Sequence, residues 1–536
     1  MAGTAGTETR NRRARGTRTA AAVVTALGLV AAATACGGGT SAGGGDGSAV
    51  TVAVAGDPGS LSPTTALAST ALAMNSFAYD TLVHLDADGS PVPGVAEKWS
   101  ATTTSATFTI RPGVTCEDGS ALTAEDVAAE YNHIADPRNQ SPMLGLSVPV
   151  TAVAKADKAA RSVTVTTTKP APFIVQMARL LPLLCEESLA KPAALARTTN
   201  ASGPYRLTEA VPGDHYTYVK RDGYSWGPGG STGAGLPGKV VVKVVSNEST
   251  AANLLMAGQI SAALINGADQ DRLDAARVKY RSVEALFGQL LFNQADGRPT
   301  AELAVRKALV SVLDLKQLGS VATGGKGRTP TRTGEIAPTP CTGDTVKGNL
   351  PAHDPAKAAA ALTAAGWTKS GGTWTKDGKP LTVGLGYATN LGPQVSSAVE
   401  LAVQQWASFG VRATAKPTGS GSIVGTLGGG DWDIAWAPIG VTLPDQLTQF
   451  YDGPPPPKGN NFGSVANPDY RRLITEAAAR PGTSGCALWD AAEAALVEHV
   501  DIAPIVSKAN RYYAKGVTFE VDGSGIVPST LRRSAG

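Results

Sequence analysis

The residues that could do chemistry are few and scattered. Five histidines, His84, His133, His215, His353 and His499, stand far apart, and none has the close His or Cys pairing that metal sites use. A Gly-Xaa-Ser-Xaa-Gly match occurs around Ser41, between Gly39 and Gly43. It lies in a glycine-rich stretch, where no strand–turn–helix can present a nucleophile beside an oxyanion hole. Gly233 to Lys239 has phosphate-loop spacing, but Val240 stands where a Ser or Thr must meet Mg²⁺. A strand pattern comes after it, so no helix N-terminus faces a phosphate. The paired acids Glu125-Asp126 and Glu186-Glu187 read as a helix start and a solvated face. No catalytic group, metal site or cofactor motif results, and the expectation is a binding protein rather than an enzyme.

Elements able to position a binding site are plentiful. A chain of 536 residues exceeds one core and suggests about two to four domains. Val50, Val52 and Val54 alternate as a strand before the break at Asp57-Pro58-Gly59. Thr123, with Asp126 three residues on, forms a capping box for a helix over 124–134. Ser249 or Thr250 is expected to cap a helix closed by Gly258. Ala301–Leu315 reads as one helix, and Asp354-Pro355 opens another that Gly366 ends. Strands are expected at 287–293, 433–437 and 503–506. Strands alternating with helices over this length mean α/β lobes.

The N-terminus has its own pattern. Arg10, Arg12, Arg13, Arg15 and Arg18 precede an uncharged run of 16 residues, Ala20–Ala35. That is a secretory signal, shorter than the roughly 20 residues of a spanning helix. It ends at Cys36 and resembles a bacterial lipobox, with Ala33 where Leu is usual. Gly37–Ser48 reads as a flexible tether reaching on the order of 20 Å. The leader holds five arginines and one glutamate, so the remainder has 42 basic against 43 acidic residues. Nothing there argues for nucleic acid. With Cys36 lipidated, Cys116, Cys185, Cys341 and Cys486 remain, an even set that an exported chain oxidises. Spacing leaves the pairing open; Cys116–Cys185 and Cys341–Cys486 are favoured because each pair falls in one probable lobe.

Several stretches, in order along the chain, resemble the extracellular solute-binding proteins of ABC importers, in the oligopeptide, dipeptide and nickel group (family 5). They are Pro91–Trp99, Gly119–Val127, Gly203–Leu207, Met256–Ile260, Phe292-Asn293 with Val305–Leu309 and Leu313-Asp314, and Asp354-Pro355 with Ala364–Trp367. The resemblance implies a two-lobed periplasmic-binding-protein-like (type II) α/β fold with an extra subdomain on the first lobe. It places a signal peptide at 1–35, a tether at 36–48 and the first lobe at 49–90, 201–285 and 501–536. The extra subdomain covers 91–200 and the second lobe 286–500. A solute is expected between the lobes, with an ABC permease and ATPase as partners, a lipid anchor in the membrane and a monomeric body outside the cytoplasm.

The resemblance also implies solute contacts at Ser69, Thr70, Tyr387, Thr389, Asn390 and Trp436. Aligned on Asp433, the Trp and Asp positions of peptide binders fall at Ile439 and Thr442. A buried ammonium needs a charged partner, and the nearest carboxylate is Asp445. The alternative is an envelope lipoprotein that keeps the fold without transport. The leader generates one prediction: Cys36→Ser releases the mature chain into the medium, read by fractionating cells and medium. Retention at the membrane overturns the anchor.

Overall fold

The computed structural model describes residues 49–66, 69–86, 88–185, 188–189, 194–419 and 422–534. The expectations for Cys36 and for the tether lie outside them.

Local signals act as their chemistry demands. The Thr123 hydroxyl accepts from the Asp126 N–H at 3.2 Å, and the Asp126 carboxylate accepts from the Thr123 N–H at 2.7 Å, starting the helix Ala124–Ala135. Asp354 accepts from the Lys357 N–H at 2.9 Å and starts Pro355–Ala364. Two expectations are corrected. Asn247, not Ser249 or Thr250, caps Glu248–Met256, since a cap must precede the first helical residues. The helix expected over Ala301–Leu315 is two, Leu303–Val312 and Leu315–Thr323. Leu313 is extended, and Asp314 caps the second helix by accepting from the Gln317 N–H at 2.9 Å.

One ten-stranded mixed sheet runs through both lobes. On the first-lobe side, Ala262–Ile265, Val50–Val54, Lys239–Val244, His215–Lys220 and Tyr205–Val211 lie in that order. On the second-lobe side come Ile434–Trp436, Thr382–Ala388 and Arg412–Thr418, the last two pairing in parallel. Between the sides lie two long antiparallel strands, Lys279–Phe292 and Ile502–Ala514. The sequence pattern marks only 287–293 and 503–506, because the first-lobe halves carry charged and polar residues (Lys279, Arg281, Lys508, Arg511) on half-exposed faces. The extra subdomain is a four-stranded antiparallel sheet, ordered Ala96–Ala101, Ser105–Ile110, Ser162–Thr166 and Val153–Asp157, packed on the Ala124–Ala135 helix. Cys116 bonds Cys185 in this subdomain, and Cys341 bonds Cys486 in the second lobe.

The long pair changes register twice, on either side of Gly288. A Cβ at Gly288 would lie 2.6 Å from the Trp436 ring and 2.9 Å from Val506 Cγ1. The Trp436 indole N–H donates to the Phe287 carbonyl at 3.2 Å. The bulge is therefore filled by an indole that only a missing side chain admits. Gly288→Ala is expected to lose about 1–3 kcal/mol through overpacking, measured as a shift in the urea midpoint. An unchanged midpoint would show that the bulge absorbs a methyl group.

Candidate functional site

Beyond Trp436 the chain leaves the sheet and forms a loop facing the extra subdomain. The Ala437 N–H donates to Gln289 O at 3.0 Å, the last tie to the sheet. The Thr442 and Leu443 N–H groups and the Thr442 hydroxyl then converge on Gln446 Oε1, at 3.0, 3.1 and 3.3 Å. This single carboxamide oxygen holds the entry to the turn Pro444–Leu447. The Gln446 Nε2 donates to the Leu146 carbonyl of the subdomain at 3.1 Å, so the same side chain joins lobe to subdomain.

Two further contacts close that junction. The Gly482 N–H donates to Pro172 O at 2.8 Å, and the Phe173 ring lies 6.0 Å from Trp489. Phe173 and Met177, from the subdomain, share an apolar cluster with Leu447, Tyr451 and Trp489 of the second lobe. Beside these contacts lies a half-open pocket of about 210 Å³. The subdomain lines it with Leu144–Gly145, Pro149–Thr151, Lys169–Ala171 and Met177, and the second lobe with Asp445, Gln446, Thr448 and Gln449.

Asp445 is the one carboxylate on this lining. Its Oδ1 is sealed from solvent and has no hydrogen-bond partner. Burial pushes the carboxyl up to about 7, opposed by neighbouring backbone N–H groups. Lys169 stands on the subdomain wall, and Val150, 57% exposed, stands at the rim. The lining thus combines an acid with one unpartnered oxygen, amide and hydroxyl groups, a cation and an apolar rim. That suits the charged or polar end of a small solute with a nonpolar body.

The expected contact residues scatter. Ser69, exposed, and Thr70, half-buried, open the first-lobe helix Ser69–Ala78 and do not line the cavity. Thr389 is exposed and donates to Thr418 O at 3.2 Å, and the Asn390 side chain lies outside the described residues. Tyr387 is 6% exposed within the second-lobe core. Trp436 is 1% exposed with its N–H satisfied, so the expectation that it faces solute is corrected: it packs the bulge at Gly288. Ile439 packs at the edge of the cluster beneath the loop, and Thr442 spends its hydroxyl on Gln446. Of the nine, Asp445 alone lines the cavity. Sequence reasoning missed Gln446, Lys169 and Thr151. The run Lys169–Pro172 looks only like a strand terminator, although Lys169–Ala171 lie on the pocket wall.

Comparison with known proteins agrees with this architecture. Residues 90–456 match the model of the bacterial extracellular solute-binding proteins, family 5, middle region. The chain is 27% identical over 333 residues to the nickel-binding periplasmic protein of Escherichia coli (strain K12), covering 58% of this chain and 60% of that one. It is 24% identical over 510 residues to the periplasmic murein peptide-binding protein of the same organism, covering 85% and 86%. A substrate-binding protein from Microbacterium hydrocarbonoxydans, solved with 4-hydroxybenzoate hydrazide, superposes with a TM-score of 0.72 at 25% identity. That match covers 91% of this chain and all of that one.

Asp445 generates a stability prediction. A carboxyl raised in the folded state binds its proton longer than in the unfolded chain, so its contribution is full below about pH 3.8 and is lost as pH rises toward 7. Asp445→Asn removes that slope. Unfolding free energies from urea titration should converge near pH 4 and differ by on the order of 4 kcal/mol at pH 7, with the variant more stable. The buried acid Glu130, pushed up to about 8, tilts both proteins alike and cancels. Parallel curves would show that Asp445 is not held neutral.

Proposed function

The chain belongs to the bacterial extracellular solute-binding proteins of family 5, and from that premise we propose that it is a membrane-tethered receptor delivering a captured solute to an ABC importer. The lobes are taken as 49–90 with 201–285 and 501–536, and as 286–500, with 91–200 as the extra subdomain. Export by the leader and acylation of Cys36 keep the body beside its permease. The observation that carries this reading is the half-open pocket between subdomain and second lobe, with Asp445 as the one carboxylate on its lining.

The nature of the solute is argued from that wall. A volume of about 210 Å³ is below the roughly 300–1,000 Å³ of drug-sized ligand sites. It suits a small solute or one end of a peptide. One carboxylate and one lysine among amides and hydroxyls suit a small organic solute with an amine and an acceptor group rather than a bare metal ion. Asp445 is the natural partner for an ammonium or amidinium, because a buried cation needs a carboxylate. Thr448 and Gln449 then bind the polar groups beside it. The pocket opens to solvent beside the exposed Val150, and any closure over the solute is favoured only by contacts that the bound solute adds.

Thermal shift against short peptides and primary-amine metabolites tests the proposal, since saturable stabilisation is a consequence of mass action. Binding of an amine should strengthen roughly tenfold from pH 6 to pH 8, as Asp445 passes from mostly neutral to mostly ionised. Asp445→Asn should remove both the binding and its pH dependence. A flat response across the library rejects the receptor reading and leaves the envelope-protein alternative. Binding that ignores pH and survives Asp445→Asn places the solute elsewhere in the cleft.

A further inference from the structure

Between the helices Leu315–Thr323 and Pro355–Ala364 runs a long connection without regular secondary structure. Arg328 exchanges both backbone hydrogen bonds with Ser507 at 2.9 Å, beside the bulge of the long strand pair. From there the connection is pinned to the helix Cys486–Glu498 twice. One pin is the Cys341–Cys486 bond. The other is Arg332, whose side chain is 9% exposed and meets Asp490 at 2.7 Å, Glu335 at 2.9 Å and Glu493 at 3.0 Å. Arg332 also closes the connection on itself, donating to Gly343 O at 2.9 Å. Thr333 and Thr345 each donate to a Glu493 oxygen at 2.9 Å.

Two buried carboxylates facing one guanidinium cannot both ionise cheaply. Burial and the neighbouring Glu335 push Glu493 up, while Glu335 is held below its usual range by hydrogen bonding to Glu493 and by Arg332. Buried ionic groups of this kind contribute little net stability. Their geometric effect here is specific. Between its two pins, the connection lays Gly334–Ile336 along the loop that leads to Asp445. The Ile336 N–H donates to Val441 O at 2.8 Å and the Val441 N–H to Gly334 O at 3.0 Å. A Cβ at Gly334 would lie 2.7 Å from Ile439 O, so the two backbones are at their closest approach. Past this point the connection touches the first lobe, with Ile336 against Gly523 and the Thr339–Pro340 backbone against Gly89.

We infer that residues 328–346 are a strap that positions the 439–445 loop, with Arg332 as its positioning residue and the Cys341–Cys486 disulfide as its fixed end. The inference rests on the reading of that loop as part of the solute site. Opening the disulfide should therefore loosen the loop while the second-lobe sheet stays intact. The strap makes capture of solute dependent on an oxidised clasp outside the cavity itself.

Hydrogen exchange of the full-length, solute-free protein tests it. In Cys341→Ser/Cys486→Ser, amides 439–446 should exchange about tenfold faster than in the wild type, while the strand Thr382–Ala388 keeps its protection. Faster exchange confined to 337–346 overturns the inference, because the strap would then move without the loop. Uniform acceleration across the second lobe also overturns it, because the bond would then be a general staple. Should the double variant fail to fold, Thr333→Val keeps the disulfide and removes one donor from Glu493; loop exchange is expected to rise roughly threefold, and no change there overturns the inference. Solute binding does not enter the measurement, so a failed solute screen and a failed strap give different results.

Discussion

The hydrogen-bond ladder between Lys279–Phe292 and Ile502–Ala514 is the interaction on which the rest of the molecule depends. Each strand is shared: the first carries Ile434–Trp436 on its second-lobe half, and the second carries Ala262–Ile265 on its first-lobe half. A sheet cannot end at a lobe boundary without leaving backbone groups unpaired, and this pair continues it instead. The bulge at Gly288 concentrates the bend in a few residues, and the Trp436 indole fills the space it opens. The second-lobe strand that leads into the 437–445 loop thus starts from a position set by the crossing pair.

After Trp436 the chain is irregular, and its shape depends on polar groups rather than on a ladder. Gln446 gathers three donors at its carbonyl oxygen and spends its N–H on the subdomain. On the far side, the 328–346 connection supplies backbone pairing to Val441. The cost of this arrangement is visible in the buried acids: Asp445 with one oxygen unpartnered, and Glu335 and Glu493 sharing one arginine. A core of apolar residues would be more stable, but it would have neither a carboxyl to offer a solute nor a fixed loop to hold it.

The extra subdomain takes part in the same site. Phe173 and Met177 enter the apolar cluster of the second lobe, and Leu146 and Pro172 accept its donors. One wall of the cavity therefore comes from a part of the chain about 300 residues distant from the other.

Sequence alone determined the features that short-range chemistry controls. The capping box at Thr123, the helix start at Asp354 and the strand at Val50 depend on neighbours within a turn or two, and the family motifs depend on order along the chain. The lengths of the two crossing strands were hidden, because their half-exposed segments break the apolar alternation that marks a strand. The carried-over contacts at Tyr387 and Trp436 went to the core, since an aromatic side chain reads the same whether it faces a solute or fills a bulge. Asp445 was legible only as the nearest carboxylate to an empty position. Its unpartnered oxygen, its raised carboxyl and its neighbours on the pocket wall came from tertiary packing. Burial and hydrogen-bond geometry are properties of the surroundings, and those surroundings are assembled from segments that no local pattern joins.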